Sequence, residues 1–389
     1  MDSNTIKKLD KENIAHTYGR FDMVADHGKG AVCVDADGKE YIDFTSGIGV
    51  NSLGFCNDAW VKAVTEQASK LQHVSNLYYT GPGAELAGKL CSRTGMSKVF
   101  FCNSGAEANE CAIKTARKYG NESSSGHKHK IITMKESFHG RTLATVTATG
   151  QDNFHKLFDP FLAGFDYCSA NDTEELKQKV DDETCAVMME MIQGEGGLNV
   201  LSSEFVQAAA EICRDRDVLF IIDEVQTGVG RTGKFFSYEH FGVHPDIVTF
   251  AKGIGGGLPI GGVLFDKKTS EVLQPGDHGS TYGANPVACA GALEVMKQMD
   301  QELLDDIAAK GSYIVSELKA IDKVEEVTGM GMMLGFRASG IEAKDIVAAC
   351  LEKGLMTLTA KDKVRMLPPL TITKEEIDRG LEIIRTVLA

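Results

Sequence analysis

Between residues 98 and 265, short apolar runs recur with almost no alternation of polar and apolar positions. They occupy 99–102, 131–134, 144–149, 186–189, 219–222 and 247–250. A strand with one face in water alternates, whereas a run apolar at every position is covered on both faces. Segments of helical period separate several of these runs. Ala108, Cys111, Ala112, Thr115, Ala116 and Tyr119 form an i, i+3, i+4 stripe, and 204–214 feeds the run at 219. This alternation predicts an α/β unit on a mainly parallel sheet.

The ends of the chain read differently. Residues 31–34 and 40–44 flank the turn Asp35-Ala36-Asp37-Gly38, which predicts a hairpin. Residues 294–318 read as one long helix, and 324–337, a helix at 343–352, a strand at 364–367 and a helix at 374–387 read as a smaller α+β unit. The expected organisation is an N-terminal segment 1–50 packing with the small unit, a large domain 51–300 and a small domain 301–389. The polar stretch 121–130 reads as a surface loop, and no internal repeat is visible.

At 389 residues the chain exceeds the size of a single growing core, which fits two lobes. A net charge of −14 argues against nucleic acid and anionic membrane as partners. It leaves a small anionic substrate open. Ten cysteines include no C-x-x-C pair, which predicts buried free thiols and a reducing, cytoplasmic setting. Residues 1–11 are polar, without the apolar core of a secretory signal, and no stretch approaches the ~20 apolar residues of a membrane span.

The chemistry concentrates at two strand ends. Leu219-Phe220-Ile221-Ile222 delivers Asp223, followed by Glu224-Val225-Gln226, and Ile247-Val248-Thr249-Phe250-Ala251 delivers Lys252 into a glycine-rich bend. An acid and a lysine at neighbouring strand ends suit pyridoxal 5′-phosphate: the lysine forms a Schiff base and the acid keeps the pyridine nitrogen protonated. Ser104-Gly105-Ala106 stands where a strand meets a helix, a place for a phosphate, although Ser104 alone reads equally as an N-cap. Phe138 can stack on a ring or pack in the core, Arg141 can grip a carboxylate, and His139 reads as a structural histidine without a role. Glu190 and Glu195 lie in an apolar, glycine-rich segment near the expected pocket, and 278–286 is a loop suited to a second phosphate contact. His240 and His244 lack the H-E-x-x-H frame of a metal site, so no metal is expected.

Taken together, the chain resembles the class III aminotransferases of fold type I, closest to the branch that acts on acetylornithine. The resemblance rests on Tyr41-Ile42-Asp43-Phe44, Asn103-Ser104-Gly105-Ala106-Glu107-Ala108-Asn109, Phe138-His139-Gly140-Arg141, Gln193-Gly194-Glu195-Gly196-Gly197, Asp223-Glu224-Val225-Gln226-Thr227-Gly228, Ala251-Lys252-Gly253 and Thr281-Tyr282-Gly283. It implies a mainly parallel, seven-stranded-type sheet in the large domain beside a small α+β domain. It implies Lys252 as the Schiff-base lysine and proton carrier, Asp223 on the pyridine nitrogen, Gln226 on the ring hydroxyl and Phe138 on the ring face. Ser104, Gly105 and Ala106 would hold the phosphate, joined by Thr281 of the partner subunit in a homodimer with the site at its interface. Tyr18, Arg141, Glu195, Ser280 and Arg365 would bind substrate, with Glu195 pairing Arg365 until 2-oxoglutarate arrives.

The implied reaction moves the δ-amino group of N2-acetylornithine to 2-oxoglutarate, yielding glutamate. Ornithine, succinylornithine, 4-aminobutyrate and succinyl-diaminopimelate are the rival donors, and an aminomutase or a non-catalytic relative of the same fold are the rival classes. Ile48 stands where ornithine-specific relatives tend to carry tyrosine, which favours an acylated donor. Met191, Phe55-Cys56-Asn57-Asp58 and Ala106 depart from the family pattern without touching Lys252 or Asp223.

Overall fold

The structure, a computed structural model, describes every residue except Ser125. Its centre is a seven-stranded sheet in the order Lys98–Cys102, Gly261–Phe265, Ile247–Phe250, Leu219–Asp223, Thr184–Met189, Lys130–Met134, Phe165–Cys168. Gly261–Phe265 is antiparallel to both its neighbours, and the remaining adjacent pairs are parallel. Every residue of Thr184–Met189, Leu219–Asp223 and Ile247–Phe250 is buried, which is why these strands show no alternation. Gly261–Phe265 escapes sequence reading because it opens on two glycines, which carry no strand signal.

Three expectations need correction. Residues 144–149 form the helix Leu143–Ala148 rather than a strand. Their threonines find helical backbone partners: the Thr147 hydroxyl donates to the Leu143 carbonyl at 2.7 Å, and that of Thr149 to the Thr145 carbonyl at 2.9 Å. A β-branched run that reads as a strand is thereby satisfied one turn back along a helix. The long helix at 294–318 is two helices, Pro286–Gln298 and Gln301–Lys319, because Asp300 caps the second by accepting from the Leu303 N–H at 2.9 Å. The loop at 121–130 is shorter than expected, since the helix Gly105–Ser123 runs into it; Ser125 within it lies outside the described residues.

The N-terminal hairpin forms as expected, with Val32–Asp35 antiparallel to Glu40–Asp43. Leu355–Met356 adds to it in parallel, so residues far apart in sequence close one four-stranded sheet. A second four-stranded sheet holds Val324–Met330, Met333–Ala338, Lys363–Met366 and Leu358–Ala360. Arg231 ties these parts together. It is buried, and its guanidinium donates to the carbonyls of Met332 and Pro368. All ten cysteines are free and only Cys56 is exposed. Among the described residues no helix is long and apolar enough to cross a membrane.

The helix Gln301–Lys319 crosses the hairpin turn of the C-terminal sheet at Gly311. A Cβ there would stand 2.2 Å from the Gly331 carbonyl oxygen, with backbone rather than side chain in its way. Gly311→Ala is therefore expected to cost about 1–3 kcal/mol, read as a lower midpoint of thermal unfolding.

Candidate active site

Parallel pairing of Leu219–Asp223 with Ile247–Phe250 delivers Asp223 and, after Ala251, Lys252 to the same end of the sheet. Both face a cavity of about 630 Å³. Lys252 has φ +46°, a left-handed backbone that costs a non-glycine residue about 1–3 kcal/mol and is kept where surrounding structure enforces it. Desolvation pulls its amine below the ordinary lysine range; Glu195 works against that shift and Arg365 with it.

Asp223 is buried and fully engaged. Its Oδ2 accepts from Asn109 Nδ2 at 2.7 Å and His139 Nδ1 at 2.8 Å, and its Oδ1 accepts from the Val225 N–H at 3.0 Å. Asn109 also donates to the His139 carbonyl at 2.7 Å, so the two donors brace each other. Burial opposes a proton on His139, but the bond to Asp223 outweighs it and raises the imidazole above its ordinary value. Sequence reasoning assigned a role to neither residue. The available signal was Asn109, a polar residue on the otherwise apolar face of its helix.

The helix Gly105–Ser123 points its N-terminus at the cavity. Ser104 is its N-cap, accepting from the Glu107 N–H at 3.2 Å, and its own O–H stays available to donate into the cavity it lines. The N–H groups of Gly105 and Ala106 have no acceptor among the described residues. A Cβ on Gly105 would stand 2.6 Å from Val225 Cγ1, so only glycine keeps this corner open. Free N–H groups at a helix start, a desolvated lysine and a braced carboxylate together fit the phosphate, aldehyde and pyridine nitrogen of pyridoxal 5′-phosphate.

Phe138 lines the cavity and is held by its own backbone, whose N–H donates to Glu190 Oε1 at 2.8 Å. Glu190 Oε2 accepts from the Gly194 N–H at 3.3 Å, linking the Phe138 segment to the Glu195 loop. Burial raises the Glu190 carboxyl to about 7. Arg365 pairs with Glu195 and donates to the Gly194 carbonyl at 3.1 Å and Gln226 Oε1 at 3.3 Å. Burial opposes ionisation of Glu195, yet facing Arg365 and Lys252 hold it below the ordinary carboxylate range. Tyr18 and Arg141, both exposed, line the cavity mouth.

Ser280 and Thr281 do not line this cavity. Ser280 Oγ accepts from Asn103 Nδ2 at 3.1 Å, and Thr281 is exposed in a neighbouring depression with His278. Ile48 also lies outside the lining, on an exposed left-handed turn with φ +64°.

Comparison with known proteins agrees with this geometry. The family profile described as aminotransferase class-III matches residues 13–388. The acetylornithine aminotransferase of Haemophilus ducreyi is 48% identical over 391 residues, covering 100% of both chains. Among solved structures, the ornithine aminotransferase of Toxoplasma gondii superposes with a TM-score of 0.95 at 30% identity, covering 100% of this chain and 95% of that one. The N-acetylornithine aminotransferase of Stenotrophomonas maltophilia superposes with a TM-score of 0.84 at 34% identity, covering 98% of this chain and 97% of that one.

Glu224, next to Asp223, supplies a pH test. It is buried and accepts from Thr227 Oγ1 at 2.6 Å, Ser237 Oγ at 2.7 Å and the Tyr238 N–H at 2.9 Å. Burial nevertheless raises its carboxyl from an ordinary 4.5 to about 7. The folded chain thus holds a proton that the unfolded chain releases, so this group's contribution to stability falls as pH rises from about 4.5 through about 7. Glu224→Gln is expected to flatten the fall of stability over that window, measured by denaturant unfolding at successive pH values.

Proposed function

This chain belongs to the class III aminotransferases, and on that premise we propose that it transfers the δ-amino group of N2-acetylornithine to 2-oxoglutarate, releasing N-acetylglutamate semialdehyde and glutamate. The family's cofactor is pyridoxal 5′-phosphate, which when bound supplies the electron sink that makes the hydrogen on the amine-bearing carbon acidic. The observation that carries a two-substrate reaction is Arg365, masked by Glu195 and bonded to Gln226, which lines the cavity that holds Lys252 and Asp223. The acetylornithine donor is drawn from full-length similarity to relatives of that name.

In this reading Lys252 Nζ would hold the cofactor through its aldehyde and, once free, would carry the proton away from the δ-carbon. Burial lowers its proton affinity from the ordinary lysine value, in the direction a proton carrier needs. Asp223 accepts the pyridine N–H, and its bonds to Asn109 and His139 keep the carboxylate aimed. The Gly105 and Ala106 N–H groups, beyond the Ser104 cap, take the phosphate, Phe138 covers the ring and Gln226 serves the ring hydroxyl. Glu195 masks Arg365 while the donor is bound and yields it to the α-carboxylate of 2-oxoglutarate. One pocket thereby accepts an amino donor and an amino acceptor of different charge layout. Arg141 takes the donor carboxylate remote from the reacting amine, with Tyr18 beside it and Ser280, like Thr281, contributed by a second copy.

Thr281 fits the phosphate role only as a residue contributed by a second copy, so the acting species is a homodimer. Exposed Leu77, Tyr78, Tyr79 and Tyr282 support this. The first three lie next to Asn76, which donates to the carbonyls of Ser280 and Gly283 and so shares a surface with Thr281. Ten unpaired cysteines support a cytoplasmic setting. A second reading, transfer from free ornithine, draws on the likeness to the Toxoplasma gondii structure. Against it stands the resemblance, in which ornithine-specific relatives tend to carry tyrosine where this chain has Ile48, although Ile48 itself lies outside the cavity lining.

Wild-type holoenzyme is expected to absorb in the visible, and Lys252→Ala to lose both the wild-type band and turnover. In rapid mixing, acetylornithine should bleach the wild-type band faster than ornithine, 4-aminobutyrate or succinyl-diaminopimelate; ornithine fastest would overturn the donor assignment. Arg365→Ala should raise the half-saturating concentration of 2-oxoglutarate about 10- to 100-fold, the worth of a charged hydrogen-bonded pair, while the donor half-reaction stays near wild type. Equal damage to both halves would sink the Glu195–Arg365 switch.

A further inference from the structure

Two arginines stand by the cavity, Arg141 at its mouth and Arg365 behind the lining residue Gln226, and they are held in opposite ways. Arg365 is masked by a carboxylate, whereas Arg141 has no side-chain hydrogen bond and no ion pair among the described residues. The Arg141 guanidinium instead stands 4.0 Å from the ring centroid of Phe154 and 5.4 Å from that of Phe138. The two rings meet edge to face at 5.6 Å and 74°. Phe154 is half-buried on the short turn Asp152–Phe154, outside the cavity lining. That turn is fastened to the Phe138 segment: the Phe154 N–H donates to the Gln151 carbonyl at 3.0 Å, and Gln151 Nε2 donates to the Ser137 carbonyl at 3.0 Å.

We propose that Phe154 is a positioning residue for the donor-carboxylate subsite, its ring face holding the Arg141 guanidinium at the cavity mouth with the N–H fork free. The proposal rests on the reading that Arg141 receives the donor carboxylate. An exposed arginine without a partner samples many rotamers, and ordering it on binding weakens affinity. A glutamate partner would order it but occupy the fork, as Glu195 does for Arg365. An aromatic face orders the cation through its ring quadrupole and leaves the in-plane donors for a carboxylate. The subsite is therefore open to every donor molecule, while the one at Arg365 is switched.

The test uses holoenzyme and rapid-mixing half-reactions. Variants are Phe154→Leu, Phe154→Tyr, Arg141→Ala and the double variant Phe154→Leu with Arg141→Ala. The donors are N2-acetylornithine and N-acetyl-1,4-diaminobutane, which keeps the acylated amine but lacks the carboxylate. Phe154→Leu should raise the half-saturating acetylornithine concentration about 3- to 10-fold with the limiting rate unchanged, the signature of lost uniform binding. It should leave the carboxylate-free donor, the 2-oxoglutarate half-reaction and the visible absorption band as in wild type. Phe154→Tyr should restore wild-type behaviour, and in the Arg141→Ala background Phe154→Leu should add nothing. An equal loss with both donors, an additive loss in the double variant, or an altered visible band would overturn the proposal by tracing the effect elsewhere. If Arg141→Ala weakens acetylornithine binding but Phe154→Leu does not, the positioning role falls and the Arg141 assignment stands. If Arg141→Ala is silent, both fall.

Discussion

A carboxylate removed from water has to be solvated by the protein, and at Asp223 that requirement organises the centre of the molecule. Its three hydrogen bonds come from the helix Gly105–Ser123, the segment after Lys130–Met134 and the turn that follows its own strand. Removing one donor would leave buried charge unsatisfied, at a cost of about 1–3 kcal/mol or more. The donors are thus obligatory, and the elements that carry them are fixed relative to one another. The same helix whose second turn supplies Asn109 exposes its free N–H groups at Gly105 and Ala106. Satisfying the carboxylate therefore also sets where a phosphate can sit. The acid, the anion cradle and Phe138 on the adjoining segment are positioned by a single set of bonds.

The cations around this centre show three solutions to one problem. Arg231, wholly buried, is held by two backbone carbonyls through Nη1, with Nη2 left without a partner, and works as a fixed strut; burial lowers its guanidinium to about 9, against the opposing charge of Asp43. Arg365 holds Glu195, Gln226 and the Gly194 carbonyl through Nη1 alone, with Nε left without a partner, an arrangement that on the proposed reading changes partner. Stripping a buried arginine of its carboxylate would cost about 3–5 kcal/mol, but exchanging one carboxylate for another does not leave the charge bare. Such an exchange is compatible with rapid turnover where simple rupture would not be. Arg141, at the mouth, needs no carboxylate because water and aromatic faces share its solvation.

Much of this was legible in the sequence, for physical reasons that also mark where legibility ends. Strands buried on both faces announce themselves as unbroken apolar runs, so the acid and the lysine at their ends could be read directly. Gly261–Phe265 was missed because glycine has no side chain to signal burial, and Leu143–Ala148 was misread because threonine hydroxyls can serve a helix as readily as a strand. His139 and Asn109 were passed over because their importance lies in a partner distant in sequence. The spacings to Asp223 are 84 and 114 residues, and no local pattern encodes them. Ser104 is the converse case. Its cap role and the phosphate site beside it are the same helix end seen from two sides.

The charges nearest Lys252 carry the argument one step further. Desolvation lowers its proton affinity, while Glu195 raises it and Arg365 lowers it. Because Glu195 and Arg365 are themselves a pair, their fields at the lysine oppose one another, and burial, working against Asp223 and Glu190, lowers the amine's basicity. On the proposed reading, a substrate carboxylate replaces Glu195 at Arg365 in the second half-reaction. The local sum of charge is then conserved, with one anion substituted for another beside the same cation. A lysine that must move a proton in both halves of the cycle would otherwise face a different electrostatic environment in each, at a cost of 1.36 kcal/mol for every unit of mismatch in pKa. Pairing the switching arginine with a carboxylate therefore does more than admit two substrates. It keeps one base matched to both.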